Sequence, residues 1–426
     1  MSTVVPAGDP GEEQLGDPVL VAAVGAELDA RARDLSLFRR DLHAHPELAW
    51  SEGRTTDAVV ARLETAGLSV KRLDTSGLVA EVGADDGPLM ALRADLDGLA
   101  VPDTTSDPWR STVPDIAHAC GHDVHAAALT GVGEALAAVH TRTPLPTRVR
   151  LLFQPAEEIM PGGAKALIAA GALEDVERIY ALHCDPTLDV GQVGLRVGPI
   201  TGASDSLSIT LAGRGGHTSR PHLTEDLTFA LGVLVTQLPS ALSRRLDPRA
   251  GASLVWGAVH AGGALNVIPA RGRLGGTLRM LDASAWHEAE HLVRRLVRDL
   301  VSPYGVTADV DYVRGVPPVV NDKQATVELG RAVAATLGPV SLVPTSQSLG
   351  GEDFARYVQH VPGAMGRLGT RTPGGPTYDL HQGDLRVDER STVVAAKVLA
   401  TAAVATDLVT TARPTGGHGR DVSGDP

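Results

Sequence analysis

The sequence predicts an α/β protein: a mostly parallel sheet with helices between its strands, interrupted by a second, smaller sandwich of strands and helices. Three observations predict it. Helical and extended patterns alternate along most of the chain, three of the strands end in polar clusters, and between about 202 and 311 the order changes to β-α-β-β-α-β.

Residues 1–18 carry Asp9, Glu12, Glu13 and Asp17 among Pro and Gly, without the basic start and apolar stretch of a secretion signal, and are expected to form a flexible leader. Apolar periodicity then predicts a helix over 18–34, strands over 78–82 and 89–93, a helix over 122–140, a strand over 148–153, a helix over 163–170 and a strand over 178–182. Strands separated by helices argue for parallel pairing. The last strands run into Arg93-Ala94-Asp95-Leu96-Asp97, Gln154-Pro155-Ala156-Glu157-Glu158 and His183-Cys184-Asp185, with His183 expected to terminate its strand. Open α/β sheets hold their sites beyond the carboxyl ends of the strands, so these clusters are expected to meet.

The second unit reads as strand 206–211, helix 225–242, strands 253–259 and 271–281, helix 285–301 and strand 307–312, the order of a ferredoxin-like sandwich. Further patterns over 324–337, 352–360 and 364–368 and a helix over 391–408 return the chain to the first domain. The expected organisation is a leader (1–18), the main domain in two parts (19–201 and 312–412), the inserted domain (202–311) and a flexible tail (413–426).

Composition narrows the function. The 426 residues hold 38 Lys and Arg against 51 Asp and Glu, and the net charge of −13 opposes binding to nucleic acid or to anionic membranes. The apolar runs near 126–139 and 393–409 are broken by Glu134, Lys397 and Asp407, as in helices of a folded core rather than bilayer spans. Two cysteines make no disulfide framework and suit a reducing, cytoplasmic setting.

The densest chemical cluster is His118-Ala119-Cys120-Gly121-His122-Asp123-Val124-His125. Four imidazole or thiol donors so close suit Zn²⁺ or a neighbouring transition metal, and the absence of a second Cys pair argues against a structural zinc finger. Glu157 and Glu158 follow an apolar strand, so that one carboxylate can bind metal while its neighbour faces a metal-bound water. His183 and His381 are further imidazoles, each equally at home as a cap or packing residue. In the inserted domain, the Gly-rich stretch ending in Gly216-His217 lacks the Gly-Lys-Ser/Thr ending of a phosphate loop. Arg279, at a strand position, could fork onto a carboxylate or lie on the surface.

Taken together, Asp41-Leu42-His43-Ala44-His45-Pro46-Glu47-Leu48, the Arg93 to Asp97 and His118 to Asp123 clusters and Phe153-Gln154-Pro155-Ala156-Glu157-Glu158 resemble the M20 metallopeptidase superfamily. Within it the chain is similar to the amidohydrolase branch, subfamily D, with its hippurate hydrolases, N-acyl-amino-acid amidohydrolases (aminoacylases) and indole-acetyl-amino-acid hydrolases. Gly216-His217, Asn266-Val267-Ile268-Pro269, Gly276-Thr277-Leu278-Arg279, Gly351-Glu352-Asp353-Phe354 and Leu380-His381 continue the resemblance in order.

The resemblance implies a zinc-peptidase-like catalytic domain with the inserted domain as lid and dimerisation surface. It also implies two divalent ions (Zn, Mn, Ni or Co) on Cys120, His122, Glu158, His183 and His381, with Glu157 as base. His217 would reach the site of a partner copy, Asn266 and Arg279 would hold a substrate carboxylate, and Asp95 and Asp123 would orient ligand imidazoles. The activity implied is hydrolysis of N-acyl amino acids; a dipeptidase or carboxypeptidase of the same fold, acting on unblocked peptides, is the alternative. A scaffold that has lost activity fits poorly with retention of Glu157 and five ligands. The segments Gly98-Leu99-Ala100-Val101-Pro102 and Gln382-Gly383-Asp384-Leu385 depart from the family's usual sequences and are expected to shape the pocket wall.

Overall fold

A computed structural model describes residues 16–84 and 86–406. The tail 413–426 and most of the leader lie outside them. The main sheet has eight strands in the order Ser69–Arg72, Leu78–Gly83, Arg148–Gln154, Leu89–Asp95, Val176–Asp189, Gly363–Arg371, Val193–Leu195 and Leu342–Pro344. Its central strands run parallel: Leu89–Asp95 pairs in parallel with Arg148–Gln154 and with Val176–Asp189, and the latter with Gly363–Arg371. Both faces are covered. On one, the helices Pro18–Ala44, His122–His140 and Arg390–Ala405 bury Leu35, Leu92, Leu129, Leu151 and Leu399 together; on the other, Leu152, Leu167, Ile179, Phe354 and Tyr357 form a second cluster.

Local chemistry explains the helices. Pro18–Ala44 starts under Asp17, whose side chain accepts from Val19 N at 2.8 Å with Pro18 at the first position, and buries Leu20, Val24, Leu28, Leu35 and Leu42 at helical spacing. His122–His140 is buried on nearly every side and is rich in Ala and Gly, because neighbours press on it from all directions. A Cβ at Gly131 would stand 2.6 Å from Leu35 Cδ1, and one at Gly133 would stand 2.7 Å from Leu63 and Leu151. Small residues at these crossings admit the close approach.

The second sheet, in the order Ser253–Ala261, Arg271–Met280, Ala203–Ala212 and Thr307–Val316, is wholly antiparallel. Its chain order with the helices Leu227–Arg245 and Ala283–Val301 is β-α-β-β-α-β, and both helices begin under aspartates, Asp226 and Asp282, that accept from Phe229 N and Ala285 N. It has a core of its own, including Leu207, Leu234, Leu274, Trp286 and Val293. Buried Asp205 ties it together, accepting from Trp286 Nε1 at 2.8 Å, from Gly315 N at 2.9 Å and from the Tyr312 hydroxyl.

The structure corrects several expectations. The strand placed at 178–182 extends over Val176–Asp189, so His183 lies inside it rather than at its end: pairing with Leu89–Asp95 stops at Ala181, but Gly363–Arg371 continues alongside His183, Cys184 and Asp185. The first helix is ten residues longer than 18–34, while the short helix placed at 352–360 spans only Phe354–Val358. Helix Gly53–Thr65 and strand Ser69–Arg72 were not anticipated. The final helix is Arg390–Ala405, and the expected positions 407 and 408 lie outside the described residues. No helix among the described residues is long and apolar enough to cross a membrane.

Candidate metal centre

The polar clusters meet where the parallel strands end, as the sheet rule requires. Leu89–Asp95 delivers Asp95 and then Asp97; Arg148–Gln154 delivers Glu157 and Glu158; Val176–Asp189 carries His183; and Cys120 and His122 stand at the start of the helix His122–His140. Gly121 makes that start possible. It has φ 84, and a Cβ there would stand 2.7 Å from Cys184 Sγ. His381, also left-handed at φ 63, comes from the loop after Gly363–Arg371, and its N–H donates to Ala119 O at 2.7 Å, joining the two loops that carry Cys120 and His381.

The donor atoms converge in overlapping groups whose members lie within 4.8 Å of one another: Cys120 with His122 and His183, Cys120 with Glu158 and His381, and His122 with Glu157 and Glu158. Cys120 Sγ is 3.5 Å from His183 Nε2, His122 Nε2 is 3.8 Å from Glu158 Oε1, and His381 Nε2 is 3.3 Å from the same oxygen. Of the five residues only His381 is exposed.

These residues fit a divalent ion. Both ring nitrogens of buried His122 and Oε1 of Glu158 lack a hydrogen-bond partner in the protein, whereas buried polar atoms are ordinarily paired. The set is nitrogen, sulfur and oxygen, the mixture that suits zinc and its neighbours. Charge agrees. Burial opposes protonation of His122, yet Asp95 and Asp97 hold it up at about 10, so the surrounding carboxylates call for positive charge at this point. Burial and Glu158 push the Cys120 thiol well up, and a bound cation is what would hold it as thiolate. Burial keeps His183 neutral, the form that ligates.

Around the donors lies a supporting layer. Asp97 stands 3.3 Å from His122 Nδ1, and its two oxygens accept from Glu157 N at 3.0 Å and Glu158 N at 2.9 Å. Glu157 is buried in a group with Glu352 and Asp353, and burial together with those neighbours and Glu158 raises its carboxyl well above the usual range. Arg93, itself buried, pairs with Asp95 at 2.7 Å, Asp353 at 2.9 Å and Glu352 at 3.1 Å.

Of the expected imidazole orienters, Asp95 lies between two rings and Asp123 serves a different one. Asp95 Oδ1 meets His125 Nδ1 at 2.6 Å, and Asp123 pairs with Arg39 and, at 3.0 Å, with His43 Nδ1. His122 has Asp97 beside its Nδ1 and Asp95 at 3.7 Å from its Nε2. His125 is used on both sides, since its Nε2 accepts from Cys184 N at 2.9 Å, and His118 is buried against Asp123 and His43 with burial lowering it to about 4. Of the four clustered donors, Cys120 and His122 are therefore the pair that faces the other groups.

The inserted-domain residues have partners of their own. His217, exposed, pairs with Val267 in a short antiparallel ladder between Gly216–His217 and Val267–Ile268, next to Asn266, and its Nδ1 accepts from Ser219 N at 3.1 Å. Arg279 donates to Leu349 O at 2.8 Å. The two unusual segments touch each other: Thr104 N donates to Gly383 O at 2.8 Å, and a Cβ at Gly383 would stand 2.0 Å from Pro102 O.

A family model, that of peptidase family M20/M25/M40, matches residues 91–405. A Rhodococcus jostii protein that bears the name of a glutamate–cysteine ligase is 49% identical over 374 residues, 88% of this chain; the chain spans only 46% of that protein's length. An N-acetylcysteine deacetylase of Bacillus subtilis is 36% identical over 371 residues, covering 86% of this chain and 95% of its own. Among solved structures, a Bacillus subtilis dinuclear metal-binding peptidase of the M20 family superposes with a TM-score of 0.75 at 32% identity, over 88% of this chain and 98% of that one.

Proposed function

The chain belongs to peptidase family M20/M25/M40 and is a hydrolase of that family; on that footing we propose that it splits the amide bond of an N-acyl amino acid, giving a carboxylic acid and a free amino acid. The observation that carries this reading is the division between two adjacent glutamates. Glu158 lies with Cys120 and His381, whereas Glu157 lies in the buried carboxylate group with Glu352 and Asp353 while staying within reach of His122.

Cys120, His122, Glu158, His183 and His381 would hold two divalent ions, of Zn, Mn, Ni or Co. Bound there, such ions supply Lewis-acid polarisation of the amide carbonyl and a lowered pKa for water. Glu157 takes the proton of the attacking water and carries it to the amine nitrogen, which cannot leave as an anion. Its raised proton affinity favours holding that proton between the two transfers. Asp97 fixes the backbone from which Glu157 acts. Arg279 and Asn266 hold the substrate carboxylate, the former as a forked donor. His217 of the partner subunit supports the carbonyl oxygen as negative charge develops, which makes a homodimer through the inserted domain part of the working enzyme. The setting is cytoplasmic, in keeping with two free, buried thiols.

The test is a panel of N-acetyl and N-benzoyl amino acids, with N-acetylcysteine among them, run beside unblocked dipeptides on one purified sample whose metal content is measured. Preferential cleavage of the N-acyl substrates is expected. Faster turnover of the dipeptides would replace the proposal with a peptidase.

A further inference from the structure

We infer that Glu52 is a positioning residue for the paired glutamates and acts on them through the backbone of Ala156. This rests on the roles proposed above for Glu157 and Glu158. Glu52 immediately precedes the helix Gly53–Thr65 and is wholly buried. One carboxylate oxygen accepts from the Ser76 hydroxyl at 2.6 Å, and the other accepts from Ala156 N at 2.7 Å. Ala156 is left-handed at φ 52, a region that side chains other than glycine resist because Cβ crowds the backbone.

Three successive backbone N–H groups are thus each held by a carboxylate oxygen: Ala156 by Glu52, and Glu157 and Glu158 by Asp97. The residue with the least favourable backbone is the one that Glu52 holds. Ala156 O in turn accepts from Gly163 N at 3.0 Å, so the turn is gripped on both sides. The left-handed residue sets the direction in which the next two side chains leave the strand Arg148–Gln154. Without the Glu52 oxygen, the Ala156 N–H is buried and unpaired, and the backbone relaxes towards an ordinary φ, rotating Glu157 away from Glu352 and Asp353 and Glu158 away from His381. Reach is what matters, because a neutral amide oxygen at the same place accepts the same N–H.

The experiment sets length against charge. Glu52→Gln keeps the length and the acceptor, and its amide can donate to the Ser76 oxygen; Glu52→Asp keeps the charge and is one methylene short. Each is made with and without Ala156→Gly, and kcat, KM, Tm and Zn²⁺ affinity by competition with a chelating dye are measured. Glu52→Gln is expected to keep kcat. Glu52→Asp is expected to lose on the order of 10²-fold in kcat, as misplacement by about 1 Å does, with KM little changed and Zn²⁺ bound more weakly. Ala156→Gly should return part of both losses, since glycine takes a positive φ freely. Loss of kcat in Glu52→Gln, retention in Glu52→Asp, or a loss in Glu52→Asp that Ala156→Gly leaves untouched would each overturn the inference. Should Glu52→Asp not fold, Glu52→Gln decides alone. A wild type that cleaves no N-acyl amino acid would sink the hydrolase reading instead, and the Zn²⁺ affinities of the variants would still test the positioning.

Discussion

Replacing Glu157 by Gln removes the side chain assigned to move the proton and leaves its backbone N–H on Asp97. Glu157 is 7% exposed and shares a space with Glu352 and Asp353, with one oxygen from each within 4.8 Å of the others. Burial and those neighbours raise its carboxyl well above the usual range, so a neutral amide of the same size relieves repulsion and Tm should hold or rise. Catalysis should suffer. A general base contributes roughly 10²–10⁴-fold, which at about 1.36 kcal/mol per decade is about 2.7–5.4 kcal/mol of transition-state stabilisation. The assay is kcat on an N-acetyl amino acid, read beside elemental analysis of bound metal and a thermal melt. A fall in kcat within that span, with metal content and Tm kept, is the expected pattern. Loss of metal together with a lower Tm would mean that Glu157 is a ligand and the two glutamates have been exchanged, and a fall of less than about tenfold would remove it from the proton path.

Three further outcomes are expected. Asp205→Ala strands three buried donors, from Trp286, Tyr312 and Gly315, and should cost about 3 kcal/mol or more at roughly 1–3 kcal/mol per orphaned group; an unchanged melt would refute this account of the second sheet. Burial would raise Asp103, but His43 and the N–H groups of Ser111 and Thr105 hold it well below the usual range, while burial and Arg39 would lower His43, which Asp123 and Asp103 raise. The Asp103 contribution is present above about pH 4 and lost as pH falls through its lowered value, and that of His43 is full below about pH 6.5 and lost as pH rises through its raised value. Asp103→Asn should therefore cost most stability between those limits, and a Tm difference that does not vary with pH would contradict the pairing. Mixing inactive His217→Ala and Glu157→Gln subunits should restore part of the activity when sites are shared between copies; no recovery after demonstrated subunit exchange would assign His217 elsewhere.

What was legible in the chain was what local chemistry dictates. Helix His122–His140 falls on its expected bounds because a glycine at positive φ immediately precedes it and its body is rich in alanine and other apolar residues, interrupted only by Thr130 and Glu134 after the first turn. The second sheet was readable because its helices carry clear apolar stripes and its strands alternate. Helix Gly53–Thr65 was hidden by its glycine start, the lack of a side-chain cap and a largely polar first turn, and Glu52 was hidden with it. Strand Val176–Asp189 was cut short at the polar cluster His183-Cys184-Asp185, which the pairing with Gly363–Arg371 carries on through. The clustering of His118 and His125 beside Cys120 suggested ligands, but density along a chain says nothing about which nitrogens are already engaged, and His125 spends both. The hold of Asp97 on two backbone N–H groups some sixty positions away leaves no local mark in the sequence.

The strand Gly363–Arg371 completes the main sheet beside Val176–Asp189, and every residue of the second sheet is translated between the two. On the ribosome the inserted sandwich, whose pairings are all internal to it, can close while the larger sheet still waits for its neighbour, since domains fold as units as they emerge. His381 arrives after that neighbour. A nascent chain or a C-terminally clipped fragment would carry a finished sandwich beside a cleft that still lacks His381, one of the five residues proposed above to hold metal.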